Sequence, residues 1–120
     1  MIRHLLFVVL ALVSFQAKAA ENCSVPTINT LNNQTVDGIM TVKSGKRCSI
    51  RLTRSAGPTY SAEIVQRPAH GTASTSGNHV RYVSNTGFTG QDSFTYARKG
   101  FDTRNNPVVR TVRIAVTVVP

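Results

Sequence analysis

From Arg67 to Tyr96 the chain reads RPAHGTASTSGNHVRYVSNTGFTGQDSFTY, with glycine in each loop and alternating apolar side chains between loops. Alternation places successive side chains on opposite faces of a strand, and glycine opens the tight turns that such strands need. No stretch beyond Ala19 repeats apolar residues at helical spacing for three turns, while valine, threonine and isoleucine dominate the ordered-looking segments. The expectation is an all-β chain. Strands are predicted at Val25–Thr30, Ile39–Lys43, Cys48–Thr53, Tyr60–Gln66, His79–Ser84, Asp92–Lys99 and Val109–Val119. Turns are predicted at Gly38, Ser44–Gly45, Gly57–Pro58, Pro68–Gly71, Gly77–Asn78, Gly87–Gly90 and Asn105–Pro107. Seven strands at this spacing fit a Greek-key sandwich of the immunoglobulin type.

Side-chain parity then predicts a core. Cys48, Ile50 and Leu52 share one face, as do Val80 with Tyr82, Phe94 with Tyr96, and Val112, Ile114, Val116 and Val118. The opposite parity puts Lys43, Arg51, Arg81 and Arg113 outward on four separate strands, a candidate basic face.

The N-terminus has the three parts of a secretory signal peptide: Arg3, an apolar run from Leu5 to Val13, and a small-residue exit with Ala17 and Ala19. Residues 1–19 are therefore expected to be removed, leaving one domain over 20–120. The apolar run is shorter than the roughly 20 residues that span a bilayer, so no membrane-spanning segment is expected in the mature chain. Cys23 and Cys48 are the two cysteines of the chain, and export makes a disulfide the expected pairing. With no tryptophan and a bond joining the first strand to the third, the antibody arrangement, which crosses between the sheets at mid-fold, is not expected.

The formal charge is +9, and loss of Arg3 and Lys18 with the signal leaves twelve basic against five acidic residues, or +7. That sign favours encounter with anionic partners, carboxylated or phosphorylated envelope polymers among them. Specific nucleic-acid recognition is not expected, since no RNA-binding signature is present and no aromatic run interleaves with the basic residues.

PAHGT (Pro68–Thr72), VRYVS (Val80–Ser84), NTGFTGQDSFTY (Asn85–Tyr96) and the terminal VRIAVTVV (Val112–Val119) resemble the bacterial Ig-like, cadherin-like repeats of exported adhesins. The resemblance spans roughly Ala62–Val119, and the N-terminal third agrees with it only by compatible strand count. It implies a non-catalytic module used as a spacer, folding unit or binding and adhesion surface. This chain departs in carrying one copy. It also has only Glu21, Asp37, Glu63, Asp92 and Asp102 as acids, dispersed, so no calcium site and no other cofactor is expected.

Gly71, Gly87, Gly90 and Asp92 are expected to be turn residues, Asp92 by bonding turn amides. His70, His79 and the many serines supply the inventory of a hydrolytic triad, but a triad is defined by geometry and no serine lies in a GxSxG elbow, so no enzyme is expected. The segment KGFDTRNNPVVR is read as an irregular loop at one end of the sandwich, flanked by Arg98, Lys99, Arg104 and Arg110 and carrying Phe101. It is the candidate binding loop. Two functions follow: a periplasmic or secreted structural or binding module whose partner is a protein or an anionic glycan, or a small secreted inhibitor or effector that inserts its basic loop into an acidic partner.

Overall fold

The computed structural model describes residues 22–52 and 59–120, so the expected signal peptide at 1–19, its cleavage site and the Gly57–Pro58 turn lie outside the described residues. The described chain is all β: β1 (Cys23–Ser24), β2 (Thr35–Lys43), β3 (Cys48–Arg51), β4 (Thr59–Gln66), β5 (Gly71–Ser76), β6 (His79–Ser84), β7 (Gly90–Phe101) and β8 (Pro107–Val119). A five-stranded sheet has the order β1-β2-β8-β7-β4 and faces a three-stranded sheet of order β3-β6-β5. β2 runs parallel to β8 from Thr35↔Thr111 to Lys43↔Val119, while the other pairings are antiparallel. This is the Ig-like sandwich expected from the sequence, with eight strands among the described residues in place of seven.

Parity predicted the core correctly. Cys48, Ile50 and Leu52 from one sheet meet Phe94, Tyr96, Val112, Ile114, Val116 and Val118 from the other, with Val80, Tyr82, Met40 and Val42 completing the cluster. Burying each such side chain contributes about 1.5–3 kcal/mol. The Tyr82 and Phe94 rings stack across the sheets at 5.6 Å, and Phe94 meets Tyr96 at 6.5 Å. Burial pushes the Tyr96 phenol up to about 12, against the opposing charge of Arg98.

Several boundaries differ from the sequence reading. Val25–Thr30 is not a strand: Pro26 has no amide proton to give a ladder, and the segment lays Val25 and Ile28 against the core. β2 starts at Thr35, with Gly38 inside the strand and not at a turn. A Cβ at Gly38 would come within 2.8 Å of Ile114 Cδ1 and 2.9 Å of Ile28 Cδ1, so the glycine admits the 25–30 segment. The turn assigned to Pro68–Gly71 ends in an extra strand, β5, whose Gly71 also serves close approach. A Cβ there would meet the Val83 carbonyl oxygen and sit 3.0 Å from Ser84 Cα, both main chain. Gly71→Ala is therefore expected to cost about 2 kcal/mol by overpacking, read as a lower urea midpoint at unchanged slope. Gly87, with φ of 83°, lies in the turn before β7, whereas Gly90, with φ of 127°, opens β7 opposite Val118 and is not in the turn.

The disulfide joins Cys23 to Cys48 with Cα atoms 5.6 Å apart. As the sequence reading expected, it joins the first strand to the third, and it does so from one sheet to the other, because β1 edges one sheet and β3 edges the other. It closes one open side of the sandwich, not its middle.

Candidate binding surfaces

The stretch read as an irregular loop is a β-hairpin. β7 and β8 remain paired to Phe101↔Pro107, leaving residues 102–106 as the turn. Asp102 organises it: Oδ1 accepts from the amides of Arg104 (2.9 Å) and Asn106 (2.8 Å), and Oδ2 from Asn106 Nδ2 (3.2 Å). Asn105 adopts φ 64°, a left-handed conformation that asparagine tolerates. The Asn106 amide is the main cause holding the Asp102 carboxyl below its ordinary range, helped by the Asn106 side chain, the Arg104 amide and the Arg110 charge and opposed by desolvation. A depressed carboxyl stabilises the turn above its unfolded pKa of about 4 and releases it as pH falls through the folded value. The Arg104 and Asn106 amide resonances are expected to shift together in an NMR titration, with a midpoint below 4. A midpoint at or above 4 would contradict this bonding.

Arg98 and Arg110 do not flank this turn as solvent-facing cations. They pair across β7 and β8 on the inward face, where Arg98 is 5% exposed and Arg110 fully buried. Arg110 Nε donates to Asn32 Oδ1 (3.0 Å) and its terminal NH2 to the Phe101 carbonyl (3.4 Å). Desolvation, then the Arg110 charge, pulls the Arg98 pKa below its ordinary value, with Tyr96 opposing. Both residues extend inward series, Phe94–Tyr96–Arg98 and Val112–Arg110, toward the segment that precedes β2: Arg98 lines a cavity with Val25, Ile28 and Leu52, and Arg110 bonds Asn32. Phe101 is half-buried, Arg104 is exposed, and Lys99 approaches Glu63 at 3.8 Å. Of the residues proposed for a binding loop, Lys99 and Arg104 carry the charge that reaches solvent.

The expected basic face is likewise divided. Lys43 on β2 and Arg113 on β8 belong to the five-stranded sheet, where Arg113 Nε bonds Asp37 Oδ1 at 3.0 Å. Arg51 on β3 and Arg81 on β6 belong to the other sheet, and the two sheets turn their outer faces in opposite directions. On the three-stranded sheet, the register aligns Ser49 with Arg81 and Ser74, and Arg51 with His79 and Ser76. Arg47, one residue before β3, falls beside Val83 and Thr72. Arg47, Arg81, Thr72, Ser74 and Val83 line a shallow depression of about 160 Å³.

Asp92 ties three elements. Its Oδ1 accepts from the amides of Ala69 (3.0 Å) and Ser93 (2.9 Å), and its Oδ2 from the His70 amide (3.2 Å) and the Tyr82 hydroxyl (2.7 Å). The aspartate bonds turn amides, as the sequence predicted, but those of the β4–β5 turn over twenty residues away. Desolvation, then the bond to Asp92, raises the Tyr82 pKa well above its ordinary value. The His70 ring stacks on Phe88 at 4.2 Å. Among the described residues no group of three or more His, Cys, Asp or Glu could hold a metal ion, and no helix is long and apolar enough to cross a membrane.

Arg47 and the hydroxyls of β5 escaped the sequence reading, and His79 entered its chemistry only in the inventory of a triad. β5 reads GTASTS, without the bulky β-formers that flag a strand, yet its alternate Thr72, Ser74 and Ser76 are the exposed set. A search among curated proteins returns no significant match. The family profile described as bacterial Ig domain matches residues 16–115, including the N-terminal third that the motifs left uncovered. Domains of this family are generally non-enzymatic modules of structural or adhesion type. With the two-sheet topology and the motif residues at its seams, the chain belongs to the bacterial Ig domain family.

Proposed function

We propose that this chain is an exported, non-catalytic Ig-like module of the bacterial cell envelope, periplasmic or secreted, acting as a structural or adhesive surface toward a protein or an anionic glycan. The observation that carries the reading is the disulfide between the sheet edges, a bond that persists in oxidising compartments and is rare in the cytosol. The signal-type segment at 1–19 and the net positive charge support it. The alternative, an inhibitor acting through a basic loop, is not favoured, since two of the four cations assigned to that loop point into the sandwich.

The test is expression of the full chain in a bacterial host, followed by fractionation and intact-mass measurement without reductant. The expected product begins at Ala20, lies in the periplasm or medium and weighs two hydrogens less than the dithiol. A full-length, reduced chain confined to the cytoplasm would overturn the reading.

A further inference from the structure

The charge of this protein is sorted between its two sheets. The four described acids, Asp37, Glu63, Asp92 and Asp102, sit on β2, on β4, on β7 and immediately after β7, all in the five-stranded sheet or its hairpin. The described ion pairs, Arg113–Asp37 and Lys99–Glu63, belong to that sheet as well. From Lys46 to Leu52 and from Gly71 to Ser84, the segments that build the three-stranded sheet, the chain has no acidic residue. Its outer face carries Arg47, Arg51 and Arg81 with His79.

The register spaces these cations regularly. His79 lies opposite Arg51, and the register carried one residue past Cys48↔Tyr82 sets Val83 opposite Arg47, which shares a depression with Val83 and Arg81, so Arg81 is the diagonal neighbour of both arginines on the adjoining strand. Diagonal neighbours are about 7–8 Å apart at Cβ, and residues four apart on a strand are about 13 Å apart. The guanidinium groups therefore form a zigzag, flanked by the hydroxyls of Ser49, Thr72, Ser74 and Ser76. Arginine forks bind carboxylate and phosphate oxygens bidentately, and hydroxyls of this kind complement sugar hydroxyls. Apart from the imidazole of His79, the outward positions of this sheet hold no aromatic ring on which a nucleobase could stack.

We infer that the outer face of the three-stranded sheet binds a linear anionic glycan polymer, with Arg47, Arg81 and Arg51 taking successive charged groups and the β5 hydroxyls taking the sugar. The inference deepens the envelope reading and rests on it only for where such a polymer is met.

The test uses the full chain as purified, with polygalacturonate and polymannuronate as probes and single-stranded and duplex DNA alongside. Arg47→Ser/Arg51→Ser/Arg81→Ser is compared with Lys43→Ser/Lys99→Ser/Arg113→Ser, which removes the same charge from the opposite sheet. The first triple is expected to weaken glycan binding at least about tenfold and to flatten the slope of log K against log salt by about 2, while the second changes affinity less than about threefold. Arg81→Ser alone, a single outward substitution, is expected to weaken binding about threefold and guards against a triple variant that misfolds. Equal losses in the two triples would reduce the effect to net charge and overturn the inference, as would absence of glycan binding or tighter binding of DNA than of either glycan. Cytoplasmic retention with intact glycan binding would instead sink only the envelope reading.

Discussion

Asp92→Ala is expected to lower the stability of the domain by about 3 kcal/mol. The carboxylate accepts from the amides of Ala69, His70 and Ser93 and from the Tyr82 hydroxyl, so its loss strands a buried hydroxyl and unties the β4–β5 turn from β7 at once. Hydrogen bonds to a charged acceptor contribute about 1.5–3 kcal/mol, and an unsatisfied buried donor costs about 1–3 kcal/mol. Tyr82→Phe removes donor and need together and is expected to cost about 1 kcal/mol. Urea unfolding of the two single variants and the double variant checks this: Tyr82→Phe should cost less when Asp92 is already alanine, whereas strict additivity would mean the bond carries no coupling.

Opening the Cys23–Cys48 bond is expected to cost about 3–4 kcal/mol, by the loop-entropy argument for a separation of 25 residues. The position of the bridge adds a structural consequence. β1 has only two residues paired to β2, so without the bond residues 22–30 are held by that pairing, by the Lys43 amide's bond to the Asn22 carbonyl and by the packing of Val25 and Ile28, with the next anchors at Asn32 and Asn33. Reduction, or Cys23→Ala/Cys48→Ala, should lower the urea midpoint and deprotect the amides of residues 22–30 before the rest of the domain. A variant with unchanged stability would show that the sheets hold together without the staple.

The family motif now has a physical reading. In PAHGT the amides of Ala69 and His70 feed Asp92, His70 stacks on Phe88, and Gly71 lets β5 lie against the β6 main chain. In GQDSFTY, Gly90 supplies the positive φ, Asp92 the clamp, and Phe94 and Tyr96 the core. These residues are spent on architecture, which is why the clearest signal in the sequence says so little about a partner.

The core was legible because burial on one face imposes period-two alternation, and the inward sets at β3, β6, β7 and β8 followed from it. The same parity, carried two residues beyond Tyr96 and two before Val112, already points Arg98 and Arg110 inward. Their charge argued for the surface, and the segment that covers them, with Val25 and Ile28 near Arg98 and Asn32 on Arg110, lies seventy or more residues away in sequence. Gly38 and Gly71 were read as turns because glycine most often marks turns, whereas their role here depends on what approaches from another strand. The separation of Lys43 and Arg113 from Arg51 and Arg81 is a matter of sheet membership, which alternation along single strands does not encode. β5 was invisible because a hydroxyl-rich strand with no large apolar residue resembles a loop.

The central claim is that binding resides on the acid-free outer face of the three-stranded sheet, and amide chemical-shift mapping during titration with polygalacturonate tests it most directly. The shifts are expected to gather at Arg47, Ser49, Arg51, Ser74 and Arg81. Shifts centred on Lys43, Lys99, Arg104 and Arg113, or spread evenly over both sheets, would contradict the account.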